Sequence, residues 1–108
     1  MHYQVLLTGK AEHDLEAIHG CIAESDSAAN ADRVFDVMLD VVTALEQFPE
    51  RGSHPRELRS LGHQEYRHIV HKPWRIFYRI LGNRVYIALI ADGRRDMRTL
   101  LAQRLLGA

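Results

Sequence analysis

The chain has 108 residues, 46% of them apolar and 26% charged, which suits one domain with its own core and leaves little room for a second. Its single cysteine, Cys21, excludes an intrachain disulfide, and no apolar run approaches the length of a membrane span. The formal net charge is zero but segregated: residues 1–50 carry two basic and ten acidic groups, and residues 51–108 carry twelve and four.

Such asymmetry marks either an interaction surface or acidic helices that solvate one side and pair with basic strands on the other. The opening residues Met1-His2-Tyr3-Gln4 lack a signal-peptide pattern, and with the lone cysteine this gives the expectation of a reducing cytoplasm and no membrane partner. Residues 3–8 are β-prone and predict a first strand. Thr8 is placed to cap a helix in which Leu15, Ile18 and Ile22 recur at helical spacing, with the acidic residues Glu12, Asp14, Glu16 and Glu24 mostly elsewhere. Cys21 falls within this helix and reads as a small core residue. Ser25-Asp26-Ser27 breaks the pattern. A second helix follows from Ala28, with Val34, Met38, Val41, Val42 and Leu45 on one face, and it must stop before Pro49.

Residues 49–63 hold Pro49, Gly52, Pro55 and Gly62 and predict an irregular loop. Three strands are expected near 64–72, 74–81 and 84–91, with Gly82-Asn83 as a two-residue hairpin turn. That turn sets Leu81 opposite Arg84, Arg79 opposite Tyr86, Phe77 opposite Ala88 and Arg75 opposite Ile90. Alternation then puts Ile76, Tyr78, Ile80, Val85, Ile87 and Leu89 on a core face against the helical hairpin. The opposite face holds Arg75, Phe77, Arg79, Tyr86, Ala88 and Ile90. Asp92-Gly93 ends the last strand, and residues 95–106 predict a closing helix with Met97, Leu100, Leu101 and Leu105 inward.

The arginine–aromatic face has two readings. A C-terminal helix covers part of it, with Phe77 and Ile90 as core contacts, or it forms a basic surface with Arg67, Lys72, Arg94 and Arg95. Guanidinium forks suit phosphate or carboxylate partners, and arginines beside aromatics suit single-stranded RNA or protein hot spots. His68 and His71 sit three apart on one strand and point to opposite faces, so no metal site is expected, and no motif calls for a cofactor.

Five motifs in order then carry a resemblance across nearly the whole chain. They are Leu-Leu-Thr followed by Ala-Glu-His-Asp-Leu-Glu-Ala-Ile at 6–18, Phe-Pro-Glu-Arg-Gly at 48–52, Tyr66-Arg67, Lys-Pro-Trp-Arg-Ile-Phe-Tyr-Arg at 72–79, and Ala-Asp-Gly-Arg-Arg-Asp-Met at 91–97. With the element order, they resemble the RelE/ParE toxin superfamily. The resemblance implies a single α+β domain over 1–108: an N-terminal strand, an α-helical hairpin, a three-stranded antiparallel meander and a C-terminal helix. It implies the toxin of a type II toxin–antitoxin system, neutralised by a cognate antitoxin in a hetero-oligomer, with a role in growth inhibition and plasmid stabilisation.

The superfamily contains two activities, and the residues must choose between them. RelE-like members are ribosome-dependent mRNA endonucleases, for which the matching catalytic set is Arg67, Arg75 and Arg95, with His68 and His71 as substitute acid or base. In such members the catalytic tyrosine falls at about Leu101 of this chain, and no histidine or tyrosine follows residue 86. ParE-like members inhibit DNA gyrase by protein contact, for which the target-binding set is Arg75, Phe77, Arg79, Tyr86, Arg94 and Arg95. The neutral balance and the long acidic hairpin disfavour docking on ribosomal RNA. The expectation is therefore a ParE-like gyrase inhibitor. A RelE-like ribonuclease is the alternative, and a degenerate antitoxin-binding protein without toxicity is the third reading.

Overall fold

The computed structural model describes residues 2–107; Met1 and Ala108, the ends of the expected domain, lie outside the described residues. The elements run β1 (Gln4–Leu7), α1 (Gly9–Ser25), α2 (Ala28–Thr43), a 3-10 turn (Ala44–Glu46), α3 (Arg56–Arg59), β2 (Tyr66–His71), β3 (Trp74–Leu81), β4 (Arg84–Asp92) and α4 (Met97–Leu105). Capping chemistry sets the helix starts. Thr8 Oγ1 accepts the Ala11 N–H at 3.2 Å, and Ser27 Oγ accepts the Asn30 N–H at 3.0 Å. Asp96 caps α4 through Thr99. The second helix turns off before Pro49, as its missing N–H requires.

The sheet order is β1-β4-β3-β2, with β1 parallel to β4 and the meander antiparallel. The helical hairpin covers one face. Leu15, Met38, Val42 and Leu45 pack there on Ile76, Tyr78, Val85 and Ile87. A second, smaller core lies on the other face, where Phe77, Leu89 and Ala91 meet Leu58 of α3 and Met97, Leu100 and Leu101 of α4. The sheet is thus sealed on both sides, and the molecule has three layers.

Three expectations change. The register holds from Leu81↔Arg84 to Tyr78↔Ile87, then shifts so that Phe77 pairs with Leu89, Ile76 with Ile90 and Arg75 with Ala91. Ala88 is the extra residue of a β-bulge, and one extra residue exchanges the faces beyond it. Leu89 therefore joins the α4 core and Ile90 the hairpin core, the reverse of strict alternation. The turn-rich loop contains the helical turn α3, because Leu58 is fully buried. Burial of a leucine contributes about 2 kcal/mol, enough to hold a short turn that has no stability of its own. Cys21 is exposed rather than in the core, since Ala11, Leu15 and Ile18 take the inward stripe of α1.

The 49–55 segment is fastened to the sheet. Ser53 forms an antiparallel bridge with His68 at the free edge of β2. The Tyr78 hydroxyl donates to Pro49 O at 2.7 Å and accepts the Gly52 N–H at 2.9 Å. Burial raises the Tyr78 pKa above its usual value, so the hydroxyl keeps the proton it donates. A Cβ on Gly52 would lie 2.7 Å from His68 O and from the Tyr78 hydroxyl, so only glycine fits under this loop.

Candidate functional site

Arg75, Phe77, Arg79 and Tyr86 share one sheet face as expected, but Ile90 leaves it beyond the bulge, and the face is not an open surface. Phe77 is 0% exposed. It lies under the α4 core, stacked on His68 with ring centroids 5.6 Å apart, and the Arg75 guanidinium sits 4.8 Å from its ring centroid. As a target contact Phe77 is therefore corrected to a core residue, because α3 and α4 together cover this part of the sheet.

Arg75 is equally committed. Its Nη1 and Nη2 donate to the two Glu57 carboxylate oxygens at 2.8 and 3.0 Å. His68 Nδ1 accepts from Arg75 Nε and Nη2 at 3.2 and 3.0 Å. The Arg75 and Glu57 side chains are only 13% and 20% exposed. The Arg75 hydrogen bonds hold Glu57 down at about 2. Burial first, and then the Arg75 charge, lowers the His68 pKa, so the ring stays neutral with its proton on Nε2. The Gly93 corner packs on this arginine. A Cβ there would meet Arg75 Cδ at 3.2 Å and Pro73 O at 3.3 Å.

The other candidates divide. Arg95 is exposed and pairs with no carboxylate among the described residues. Arg94 is 83% exposed and is chelated by Asp92, its Nη2 lying 2.6 Å from the carboxylate. Arg79 and Tyr86 face each other across the hairpin, both half-buried, and Arg79 lies over the Tyr66 ring at 5.4 Å.

Arg75 and Arg95 border one cleft of about 1060 Å³ between α3 and α4. Arg67 does not join them. It pairs in register with Tyr78, on the opposite face from Arg75, and its guanidinium donates to Gly52 O at 2.8 Å. His71 is exposed at the far end of β2, opposite Trp74. Arg67, His68 and Arg75 border a second cleft of about 700 Å³, and Arg75 and Arg95 the first, so the ribonuclease set of Arg67, Arg75 and Arg95 is divided between two clefts that meet at Arg75. Position 101 is a leucine buried in the α4 core. No group of three metal-ligating side chains occurs among the described residues, and no described helix is long and apolar enough to cross a membrane.

Sequence reasoning missed four participants. Glu57 lay in a segment read as loop, and Arg56, Arg59 and Arg98 border the same cleft. The alternation of Arg56-Glu57-Leu58-Arg59 after Pro55 is the signal for the turn: one apolar residue inward and charges outward.

This architecture is shared with solved toxins. A chain of the chromosomal ParDE TA system from P. aeruginosa superposes with a TM-score of 0.72 at 21% identity, covering 84% of this chain and 96% of that one. The RelBE2 toxin–antitoxin complex from Mycobacterium tuberculosis matches with a TM-score of 0.63 at 21% identity, over 85% and 99% of the two chains. No curated protein sequence matches the chain significantly. The profile of the family described as the ParE toxin of the type II toxin–antitoxin system parDE matches residues 5–97. Fold and profile together define a toxin of a type II toxin–antitoxin system. Within the ParE/RelE group, the chain belongs to the ParE toxin family.

Proposed function

We propose that this chain is a ParE-like toxin that inhibits DNA gyrase by protein–protein contact in the cytoplasm, and that it does not cut RNA itself. The observation that carries this reading is the closed Arg75–Glu57–His68 cluster. Metal-independent RNA cleavage needs a free cation beside the developing phosphorane charge and an acid and a base within reach. Here the family arginine has spent its charge on Glu57, and the adjacent histidine has spent its lone pair on the arginine. The position of the RelE-like catalytic tyrosine is a buried leucine, Leu101. Arg95, exposed and without a carboxylate partner among the described residues, remains available for a protein partner, beside Arg94 held by Asp92.

A cognate antitoxin completes the proposal. Both solved neighbours are toxin–antitoxin complexes, and a disordered segment that folds on the toxin suits exposed apolar side chains such as Phe48 and Val70. Co-purification with the product of an adjacent small reading frame is the expected result. For the target, purified toxin is added to a gyrase supercoiling assay and, separately, to ribosomes translating a defined mRNA. Inhibited supercoiling with intact mRNA is expected. Codon-specific cleavage with untouched supercoiling would replace this reading by the ribonuclease one.

A further inference from the structure

Four exposed arginines converge on the cleft between α3 and α4: Arg56 and Arg59 from α3, Arg95 from the β4–α4 corner and Arg98 from α4. None has a carboxylate partner among the described residues. The floor adds no free charge, because Arg75 and Glu57 neutralise each other there. The cleft therefore presents forked donors from three separate elements around about 1060 Å³ of open volume. Four like charges without ion-pair partners repel one another, the single Asp96 carboxylate on the rim offsets only part of that repulsion, and an anionic ligand relieves the rest.

We propose that this cleft binds an acidic polypeptide segment, its Asp and Glu carboxylates taken by Arg56, Arg59, Arg95 and Arg98. Phosphates and carboxylates both fit a guanidinium fork, so the surroundings decide between nucleic acid and protein. No aromatic side chain borders the cleft, which leaves the bases of a single strand nothing to stack on. The ten acidic groups of residues 1–50 belong mostly to the helical hairpin on the other side of the sheet. A short peptide meets only the basic side, whereas a long phosphate polymer also feels the acidic one. Ser60 and Gln64 line the same cleft and supply neutral hydrogen bonds for a peptide backbone.

The inference rests on the protein-contact reading above only in taking the partner to be a polypeptide. The test is a fluorescence-anisotropy titration of the free toxin with a labelled Glu-rich peptide of about 15 residues at about 0.15 M salt, where a Debye length of about 8 Å screens remote charges. Arg59→Ala with Arg98→Ala is expected to weaken binding about tenfold. Arg51→Ala with Arg84→Ala removes the same charge away from the cleft and is expected to change binding by less than about twofold. Equal losses in the two double variants would overturn the proposal, since the peptide would then be reading net charge alone. A single-stranded oligonucleotide of equal charge that binds more tightly, and loses affinity in the Arg59/Arg98 variant, would overturn it in favour of nucleic acid. A salt-sensitive dimer in sedimentation velocity, abolished by the same variant, would assign the cleft to a second copy of the chain. The supercoiling assay reads the target and this titration reads the cleft, so either can fail alone.

Discussion

Asp14 and Arg104, ninety positions apart, close the β-bulge of β4 between them. Arg104 donates to both Asp14 oxygens at 2.9 and 2.8 Å. Asp14 Oδ2 also accepts the Ile90 N–H at 3.1 Å, and Arg104 Nη2 donates to Ala88 O at 3.1 Å. The two backbone groups that flank the bulge, which lie beyond the reach of β1, are thereby satisfied by one ion pair. Both side chains are mostly buried, so removal of one leaves the other charged and unpaired. Asp14→Ala and Arg104→Ala are each expected to cost about 3 kcal/mol. The double variant should cost clearly less than their sum, as coupled partners do. Urea unfolding of the four proteins measures this, and additive losses would mean that the pair does not couple α1 to α4.

Tyr78 performs a similar service for the segment before α3. Its hydroxyl holds both Pro49 O and Gly52 N. Tyr78→Phe keeps the ring in the core but strands both groups, with an expected loss of about 2 kcal/mol. Gly52→Ala should destabilise by at least as much, because the new Cβ meets the His68 carbonyl, a backbone atom that cannot turn aside. Faster hydrogen exchange confined to residues 49–55 and β2 would locate both effects. Uniform acceleration would place the hydroxyl's role elsewhere.

Acid should weaken the fold in two stages. His68 and Glu57 both have folded-state pKa values below their usual ones, so the unfolded chain binds more protons and stability is lost as the pH decreases. The His68 contribution is complete above its usual 6.5 and declines below it. The Glu57 contribution is complete above 4.5 and is lost as the pH falls toward about 2. Asp92 titrates in the same low range through its Arg94 hydrogen bonds, so Glu57→Gln is the variant that isolates Glu57. Its urea midpoint should be lower than that of the parent at pH 7 and should change less between pH 5 and pH 3. An unchanged slope over that interval would remove Glu57 as its source.

The sequence made the element order, the helix caps and the hairpin turn legible, because these depend on neighbours in the chain. Thr8, Ser27 and Gly82-Asn83 act within a few residues of themselves. What stayed hidden depends on distant partners. The bulge at Ala88 has no local marker; it becomes intelligible only when Asp14 and Arg104 are seen to bind the peptide groups beside it. Asp14 reads as one more acidic residue of a solvated helix until that partner is known. The candidate site was legible as a basic region, since charge segregation is a property of composition. Which arginines are free was not legible, because Glu57 neutralises Arg75 across eighteen positions from a segment without a clear pattern.

That distinction between free and committed arginines separates two substitutions that look alike in sequence. Arg95→Ala removes an exposed, unpaired charge and should lower toxicity with no more than about 0.5 kcal/mol change in stability. Arg75→Met strips the partner from Glu57 and the donor from His68, and should cost about 3 kcal/mol before any contact with a target is considered. Adding Glu57→Leu to Arg75→Met removes the orphaned carboxylate and should recover most of that loss, since an apolar pair can replace a buried ionic one. Growth arrest measured beside thermal stability tests both. Restored toxicity in the Arg75→Met/Glu57→Leu protein would assign Arg75 to the fold alone. Stability recovered without toxicity would give Arg75 a second role in the cleft that it floors.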